Sequence, residues 1–207
     1  MQLIGMLDSP YVRRVAIGAT LMGQPFEHRS ISVLRQIEQY RAINPLIKAP
    51  TLVCDDGEVL MDSSLILAWL DSRVAPAQRL WPTQADTYRR ALQLGGIALV
   101  ACEKTVQHLY ETQLRPEAFQ YDPWLSRIRS QLADAWALLD AACAGRGTSW
   151  LCGDTLCQAD IDVAVAWGFN QFAQPGLSDP SLTPALAAFA AQTEALPAFL
   201  AYPVDRT

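Results

Sequence analysis

Asn44-Pro45-Leu46-Ile47-Lys48-Ala49-Pro50-Thr51-Leu52-Val53 is the stretch on which the reading of this 207-residue chain turns. Asn44-Pro45 ends whatever helix precedes it. Residues 51–54 and 59–61 are short apolar runs around Asp55-Asp56-Gly57-Glu58, whose turn-forming residues predict a β-hairpin. Ala49-Pro50 stands directly before the first of these strands. A trans proline fits there as a first strand residue. A cis one, the state of about 5% of X-Pro bonds, would offer the N–H and C=O of Ala49 as an edge for an extended ligand.

Upstream, residues 2–5 read as a strand ended by the turn-like Asp8-Ser9-Pro10. Val12, Val15, Ala16, Ala19 and Met22 then recur at helical spacing up to Gly23, placed as a C-cap. Residues 26–31 predict a second strand and 33–42 a second helix. Downstream, Asp62-Ser63-Ser64 opens a helix with Leu65, Ile66, Trp69 and Leu70 on one face. The order is βαβαββα. Pro76-Ala-Gln-Arg-Leu-Trp-Pro82 lacks periodicity and marks a linker. Beyond it the pattern is helical throughout, at 87–112, 124–144, 158–172 and 186–196. The stretch 158–172 is apolar nearly all round, as in a buried helix. The expected organisation is an α/β domain over residues 1–75, a linker over 76–83 and an all-helical domain over 84–207.

Half the chain is apolar (51%) and 18% is charged, enough to bury a core and too little charge for disorder. The net charge of −5 arises wholly after residue 80, since residues 1–80 carry eight charges of each sign. A neutral front and an acidic back leave no basic footprint for nucleic acid. No stretch approaches the ~18–20 apolar residues of a membrane span, and Met1 to Asp8 lacks the order of a signal peptide. A cytoplasmic location is therefore expected. Cys54, Cys102, Cys143, Cys152 and Cys157 form no CxxC pair, and with only His28 and His108 beside them an ordinary metal site is hard to assemble. They read as small buried hydrophobes, and no metal is expected. Neither GxSxG, GxGxxG nor GxxxxGK[ST] occurs, which argues against hydrolase-triad and nucleotide chemistry.

Two helix openings can carry chemistry. Ser9-Pro10 is a common N-cap and N1 pair. The same hydroxyl and free N–H groups also suit an anion such as a thiolate. Asp62-Ser63-Ser64 is likewise either an N-cap or a pocket in which Ser63 and helix N–H groups hold a carboxylate and Asp62 an ammonium. Position alone leaves both readings open at both places.

Taken together, the βαβαββα order, Ser-Pro-Tyr-Val-Arg-Arg at 9–14, the proline stretch at 44–53 and Asp-Ser-Ser at 62–64 resemble the cytosolic glutathione S-transferase family, over essentially the whole chain. Gly153 to Ile161 looks like that family's capping-box segment opening a buried helix, and residues 183–199 look like its final helices. One departure is Cys157, where the family has Ser or Thr as N-cap opposite Asp160. A thiol accepts poorly, so the cap is expected to be weaker by up to ~1 kcal/mol.

The resemblance implies a thioredoxin-like N-terminal domain, a C-terminal helical bundle and a homodimer. It implies glutathione as co-substrate, a small hydrophobic electrophile as second substrate, and a cis Ala49-Pro50 bond. Ser9 matches the residue that addresses the glutathione sulfur, here of the thiolate-stabilising serine variety. Ala49 and Pro50 match the loop that pairs with the cysteinyl backbone, Asp62 and Ser63 the γ-glutamyl grip, and Lys48 a position facing the glycyl carboxylate. Arg13 matches a basic residue with a structural or dimer-related role. The electrophile would lie against Tyr11, Cys102, Val106, Tyr110 and Trp167, positions that also fit ordinary core packing. A glutathione-dependent isomerase of the maleylacetoacetate type is a sub-case, although the serine- and cysteine-rich opening of that class is absent. The competing expectation is a non-catalytic, regulatory module of the stringent starvation protein type, which associates with RNA polymerase and loses the glutathione site. The presence of Ser9, Lys48, Ala49-Pro50 and Asp62-Ser63 together favours the enzyme.

Overall fold

The hairpin expected around Asp55–Glu58 forms the edge of a four-stranded mixed sheet in the computed structural model, which describes residues 1–204. The strands are β1 (Gln2–Ile4), β2 (Glu27–Arg29), β3 (Thr51–Val53) and β4 (Val59–Met61), arranged β2-β1-β3-β4. β1 runs parallel to β2 and antiparallel to β3, and β3 pairs antiparallel with β4. Ile4, Thr51 and Met61 lie side by side in this register. The next residues out, Gly5, Pro50 and Asp62, therefore leave the sheet at one common end.

Successive strand residues face opposite sides of the sheet. On one side, Ile4 packs with Ile31 and Tyr40, joined by Val33, Ile43, Ile47, Ala49 and Val53. Leu3 faces the other way, where α1 (Pro10–Leu21) and α3 (Ser63–Ser72) pack against each other. The apolar stripe of α1 read from the sequence is buried there: Val12, Val15, Ala16 and Ala19. α2 (Ile37–Arg41) is shorter than the expected helix over 33–42. Ser32 is the cause. Its hydroxyl accepts from Leu34 N–H and Arg35 N–H, its own N–H donates to Gln36 Oε1, and residues 33–35 are held in a turn.

The chain divides into two compact units, Met1–Trp81 together with the segment from Leu196 onward, and Pro82–Ala195. The segment from Leu196 thus leaves the helical domain expected over 84–207, and residues 205–207 lie outside the described residues. Arg13 ties it to the first unit. Its Nε donates to the Tyr202 carbonyl at 2.7 Å, and its guanidinium lies over the Phe199 ring. Tyr202 also stacks on Phe26 and accepts from Thr20 Oγ1. Arg13 thereby has a structural role within its own chain.

The helical unit contains α4 (Ala85–Leu109), which runs into a π-helical turn at Tyr110–Leu114, then α5 (Asp122–Ala144), α6 (Gln158–Ala173) and α7 (Pro184–Glu194). A short α8 (Pro197–Leu200) lies in the C-terminal segment of the first unit. α6 is the central helix, buried at every position from Gln158 to Trp167 as its apolar circumference predicts. It approaches α4 closely at Gly95, where a Cβ would sit 3.0 Å from the Asp162 Oδ2 side-chain oxygen. Asn170 Nδ2 donates to Thr105 Oγ1 across the same contact. The start of α6 carries the expected capping box. Asp160 accepts from Cys157 N–H and Leu151 N–H, both at 2.8 Å, which clamps the preceding loop onto the helix. No helix among the described residues is long and apolar enough to cross a membrane.

Candidate functional site

The end of the sheet at Gly5, Pro50 and Asp62 adjoins Lys48 and Ala49 before β3 and Ser63 after β4, and the chain leaving β1 there leads to Ser9. Ser9 is the N-cap of α1, half-buried, with its backbone extended. Its Oγ accepts from Val12 N–H at 3.5 Å, a long and weak cap. The carbonyl of Ser9 receives Arg13 N–H at 3.0 Å, so the helix proper begins here. Pro10 has no N–H and Val12 N–H is taken by Ser9 Oγ, so the Ser9 hydroxyl and the backbone N–H of Tyr11 stand at the positive dipole end of α1.

Gly5 brings that helix start close to the proline loop. Its φ is +136°, and a Cβ on it would sit 2.6 Å from Val12 Cγ2 and 3.2 Å from Ala49 Cβ. Only glycine lets the end of β1 pass between α1 and Ala49. The Ala49-Pro50 bond is cis, as the resemblance implied. Ala49 is half-buried, Pro50 buried, and Lys48 exposed. Ile47 adds a left-handed backbone conformation at φ +48°.

A buried polar network holds this loop. Thr51 Oγ1 donates to the Lys48 carbonyl at 2.8 Å and accepts from Asn44 Nδ2 at 2.9 Å. The Tyr40 hydroxyl lies 3.1 Å from the same carbonyl and 3.3 Å from Ile4 O and from Thr51 Oγ1. Burial pushes the Tyr40 phenol above its usual range, so it stays protonated and remains a donor. Asn44 Oδ1 also accepts from Leu46 N–H.

The third piece is the start of α3. Asp62 caps it by accepting Ser64 N–H at 2.8 Å, and does so at φ +66°, a sparsely populated conformation for a non-glycine residue. Such an outlier between a strand and a helix is the kind of feature that clusters at binding sites. Ser63 Oγ accepts from Arg14 Nη1 at 2.8 Å, and the same nitrogen donates to Ser64 Oγ at 3.1 Å. Arg14 is almost fully buried, at 2% exposure.

The predicted electrophile-facing residues fall in both units. Tyr11 is half-buried on α1. On α4, Cys102 is buried, Val106 half-buried and Tyr110 exposed. Tyr110 lines an open cavity of about 440 Å³ with Gln107, Glu111, Leu114, Arg115 and Trp124. Trp167 is buried in the helical core and packs edge-on against Trp136 at 5.1 Å.

Cys102, Cys143 and Cys157 are buried as expected, whereas Cys54 and Cys152 are half-buried, and a hydrogen bond with Cys157 holds the Cys152 thiol below its usual range. Burial pushes the Cys143 thiol up to about 12, and a hydrogen bond with Cys152 together with burial raises Cys157 well above the usual thiol range. No group of three or more potential metal-ligating side chains occurs among the described residues.

Gly5, Arg14, Tyr40, Asn44 and Thr51 are the site-building residues that the sequence reading did not single out. The polar network of Asn44 and Thr51 leaves no signal in the sequence, because its members come together only in three dimensions.

This geometry can be set beside that of known proteins. Residues 3–78 match the glutathione S-transferase N-terminal domain and residues 122–202 the glutathione S-transferase C-terminal domain. The uncharacterized GST-like protein YibF of Escherichia coli K12 is 30% identical over 173 residues, 83% of each chain. The chain belongs to the glutathione S-transferase family. Among solved relatives, a glutathione S-transferase of Methylobacterium radiotolerans in complex with glutathione sulfonate is 28% identical. It superposes with a TM-score of 0.88 over 100% of this chain and 96% of the other. A glutathione transferase family member of Pseudomonas fluorescens Pf-5 with bound glutathione is 29% identical, with a TM-score of 0.83 over 99% and 98%. A maleylacetoacetate isomerase of Pseudomonas aeruginosa is 32% identical over 108 residues, 50% of each chain.

Proposed function

We propose that this member of the glutathione S-transferase family binds glutathione along the edge of its first unit, activates the thiol and transfers it to a small electrophilic carbon. The observation that carries this reading is the convergence, at one end of the sheet, of a serine-capped helix start, a cis-proline loop and a second capped helix start. The relatives with bound glutathione support it.

The roles follow from donor and acceptor chemistry. Ser63, through its hydroxyl and N–H, holds the γ-glutamyl carboxylate, and Asp62 holds the ammonium. Ala49 pairs its N–H and C=O with the extended cysteinyl backbone, as an added strand does. Lys48, exposed at the loop, attracts the glycyl carboxylate. These contacts set the cysteinyl sulfur at the α1 start, where Ser9 donates its hydroxyl hydrogen to the thiolate and the helix N–H groups add a positive potential.

A hydrogen bond to a charged acceptor contributes roughly 1.5–3 kcal/mol, or ~1–2 pKa units. A thiol of pKa about 8.5 is about 3% ionised at pH 7, and lowering it by 1–2 units raises that fraction to roughly 25–75%. Attack by the thiolate forms the carbon–sulfur bond as halide departs from an aryl halide, or as the C=C π pair of a Michael acceptor shifts to the α-carbon, which takes a proton from water; the proton released on thiol ionisation goes to solvent. Positioning both reactants supplies the rest of the acceleration. Calorimetric titration with reduced glutathione, followed by turnover assays with activated aryl halides and Michael acceptors, tests the reading. Binding with turnover supports it. Absence of binding at millimolar ligand refutes it and favours the regulatory module.

A further inference from the structure

We propose that Cys152 and Cys157 form a two-electron redox site, in which a hydroperoxide oxidises Cys152 and Cys157 then closes a reversible disulfide with it at the start of α6. The site lies wholly in the helical unit and does not depend on glutathione binding.

The pairing follows from how the chain enters α6. Cys152 follows Leu151, and Cys157 is the N-cap of the helix. One carboxylate holds both places: Asp160 accepts Leu151 N–H through Oδ1 and Cys157 N–H through Oδ2, each at 2.8 Å. Trp150 N–H donates to the Gly153 carbonyl at 3.0 Å, and Gly153 takes φ +138°, so the chain turns back at Cys152. The loop between the cysteines is thus pinned at both ends to a single side chain, and the two thiols meet in a hydrogen bond. A disulfide requires two sulfurs brought together on backbones already at bridging distance, and this loop brings them together.

The two thiols differ as a redox pair requires. Cys152 is half-buried, whereas Cys157 is only 4% exposed. The hydrogen bond from Cys157, and then the charge of Arg90 on α4, favour thiolate at Cys152 against burial and the charge of Asp160. The same hydrogen bond and burial keep Cys157 protonated. An accessible thiolate beside a resolving thiol is the arrangement of redox-sensing cysteines. Cys54 is half-buried too, but burial and the charges of Asp56 and Glu58 push its thiol up. The clamp by Asp160 runs to backbone N–H groups, so oxidation of the sulfurs leaves it in place. A serine or threonine N-cap at 157 could not close the bond.

The Cys152 thiolate attacks one oxygen of the peroxide and the O–O bond breaks, leaving a sulfenic acid and a hydroxide that takes a proton from solvent. Cys157 sulfur then attacks Cys152 sulfur. The S–S bond forms, the S–O bond breaks, and the hydroxyl leaves with the Cys157 proton as water. The sulfur pair loses two electrons and the peroxide gains two. A dithiol reverses the bond by thiol–disulfide exchange.

The test treats fully reduced, folded wild-type protein with hydrogen peroxide, removes the excess with catalase, and reads the intact mass before and after alkylation under denaturing conditions. Wild type should lose about 2 Da, the two thiol hydrogens. Of its five cysteines, all but Cys152 and Cys157 should remain open to alkylation, and dithiothreitol should restore both. The bond should map to the peptide that holds residues 152 and 157. Cys157→Ser should halt at a Cys152 sulfenic acid that dimedone traps, and Cys152→Ser should slow oxidation of the protein by about tenfold or more. Retention of all five thiols would overturn the proposal. So would a disulfide that excludes either cysteine, or a Cys152 that runs on to sulfinic acid while Cys157 stays alkylatable. The wild-type readings decide the question even where a variant does not fold. A protein that forms this disulfide and binds no glutathione upholds the site and overturns the glutathione reading alone.

Discussion

Thr51→Val removes one hydroxyl from the network beneath the proline loop without changing the volume of the side chain, so no cavity contributes. Thr51 Oγ1 donates to the Lys48 carbonyl at 2.8 Å and accepts from Asn44 Nδ2 at 2.9 Å. In the variant the carbonyl still has the Tyr40 hydroxyl at 3.1 Å. Asn44 Nδ2 is left with Met61 Sδ at 3.6 Å, a weak acceptor. A buried donor stripped of its partner costs about 1–3 kcal/mol and the lost Thr51–Lys48 bond about 1 more, for a total of about 2–4 kcal/mol. For a chain of this length the melting temperature should fall by roughly 4–16 °C. Urea unfolding followed by circular dichroism measures the loss. Glutathione titration should show a several-fold higher Kd, because the same network sets the position of Ala49. Thr51→Ser keeps the hydroxyl and should cost under about 1 kcal/mol. A Thr51→Val protein within about 0.5 kcal/mol of wild type would refute the claim that this hydroxyl organises the loop.

Gly5→Ala places a Cβ at φ +136° and 2.6 Å from Val12 Cγ2. Backbone strain of about 1–3 kcal/mol and overpacking of about 1–3 kcal/mol should add, and a loss under about 1 kcal/mol in urea unfolding would show the β1–α1 approach to be slack. His108 is buried with Nδ1 at 3.2 Å from Gln174 Oε1. Burial, and then the charge of Arg129, hold its pKa below the ordinary 6.5. The unfolded chain thus binds this proton more readily, so the contribution of His108 is present above pH 6.5 and lost as pH falls through its folded value. Wild-type urea midpoints should decline between pH 7 and 5, and His108→Gln should flatten that decline; an unchanged slope would exclude His108 as its source. Cys157→Ser gives α6 a better N-cap acceptor, but Asp160 already accepts Cys157 N–H at 2.8 Å, so the gain should stay below about 1 kcal/mol. A serine variant less stable than wild type would mean that the contact of Cys157 with Cys152 matters more than the cap.

Elements set by local chemistry were legible in the sequence. The hairpin follows from Asp55 to Glu58, α1 from its stripe between Pro10 and Gly23, and α6 from an apolar circumference that only a central helix can bury. Ser9, Ala49-Pro50 and Asp62-Ser63 were legible because each marks a junction between elements. Failures came where a distant or side-chain partner decides. The turn at 33–35 depends on a serine hydroxyl that outcompetes the helix. The C-terminal segment joins the first unit because Arg13 binds the Tyr202 carbonyl, a contact 189 residues apart in sequence. Nothing local separates Arg14 from its neighbour Arg13, because which of two adjacent arginines turns toward Ser63 is decided only by the folded chain. Asn44, Tyr40 and Thr51 read as a helix stop, a helix residue and a strand residue, and their shared function in holding Lys48 O is a property of the folded chain.

The central claim is that Ser9 stabilises the thiolate of bound glutathione. The direct measurement is the pKa of that thiol, read from thiolate ultraviolet absorbance across pH in wild type and Ser9→Ala. The cap bond to Val12 N–H is long at 3.5 Å, so the substitution should cost the fold little, at the low end of about 0.5–2 kcal/mol. The expected wild-type pKa lies ~1–2 units below the free thiol and returns most of the way in Ser9→Ala, with glutathione affinity nearly kept. An equal pKa in both proteins would contradict it and leave Ser9 as a helix cap.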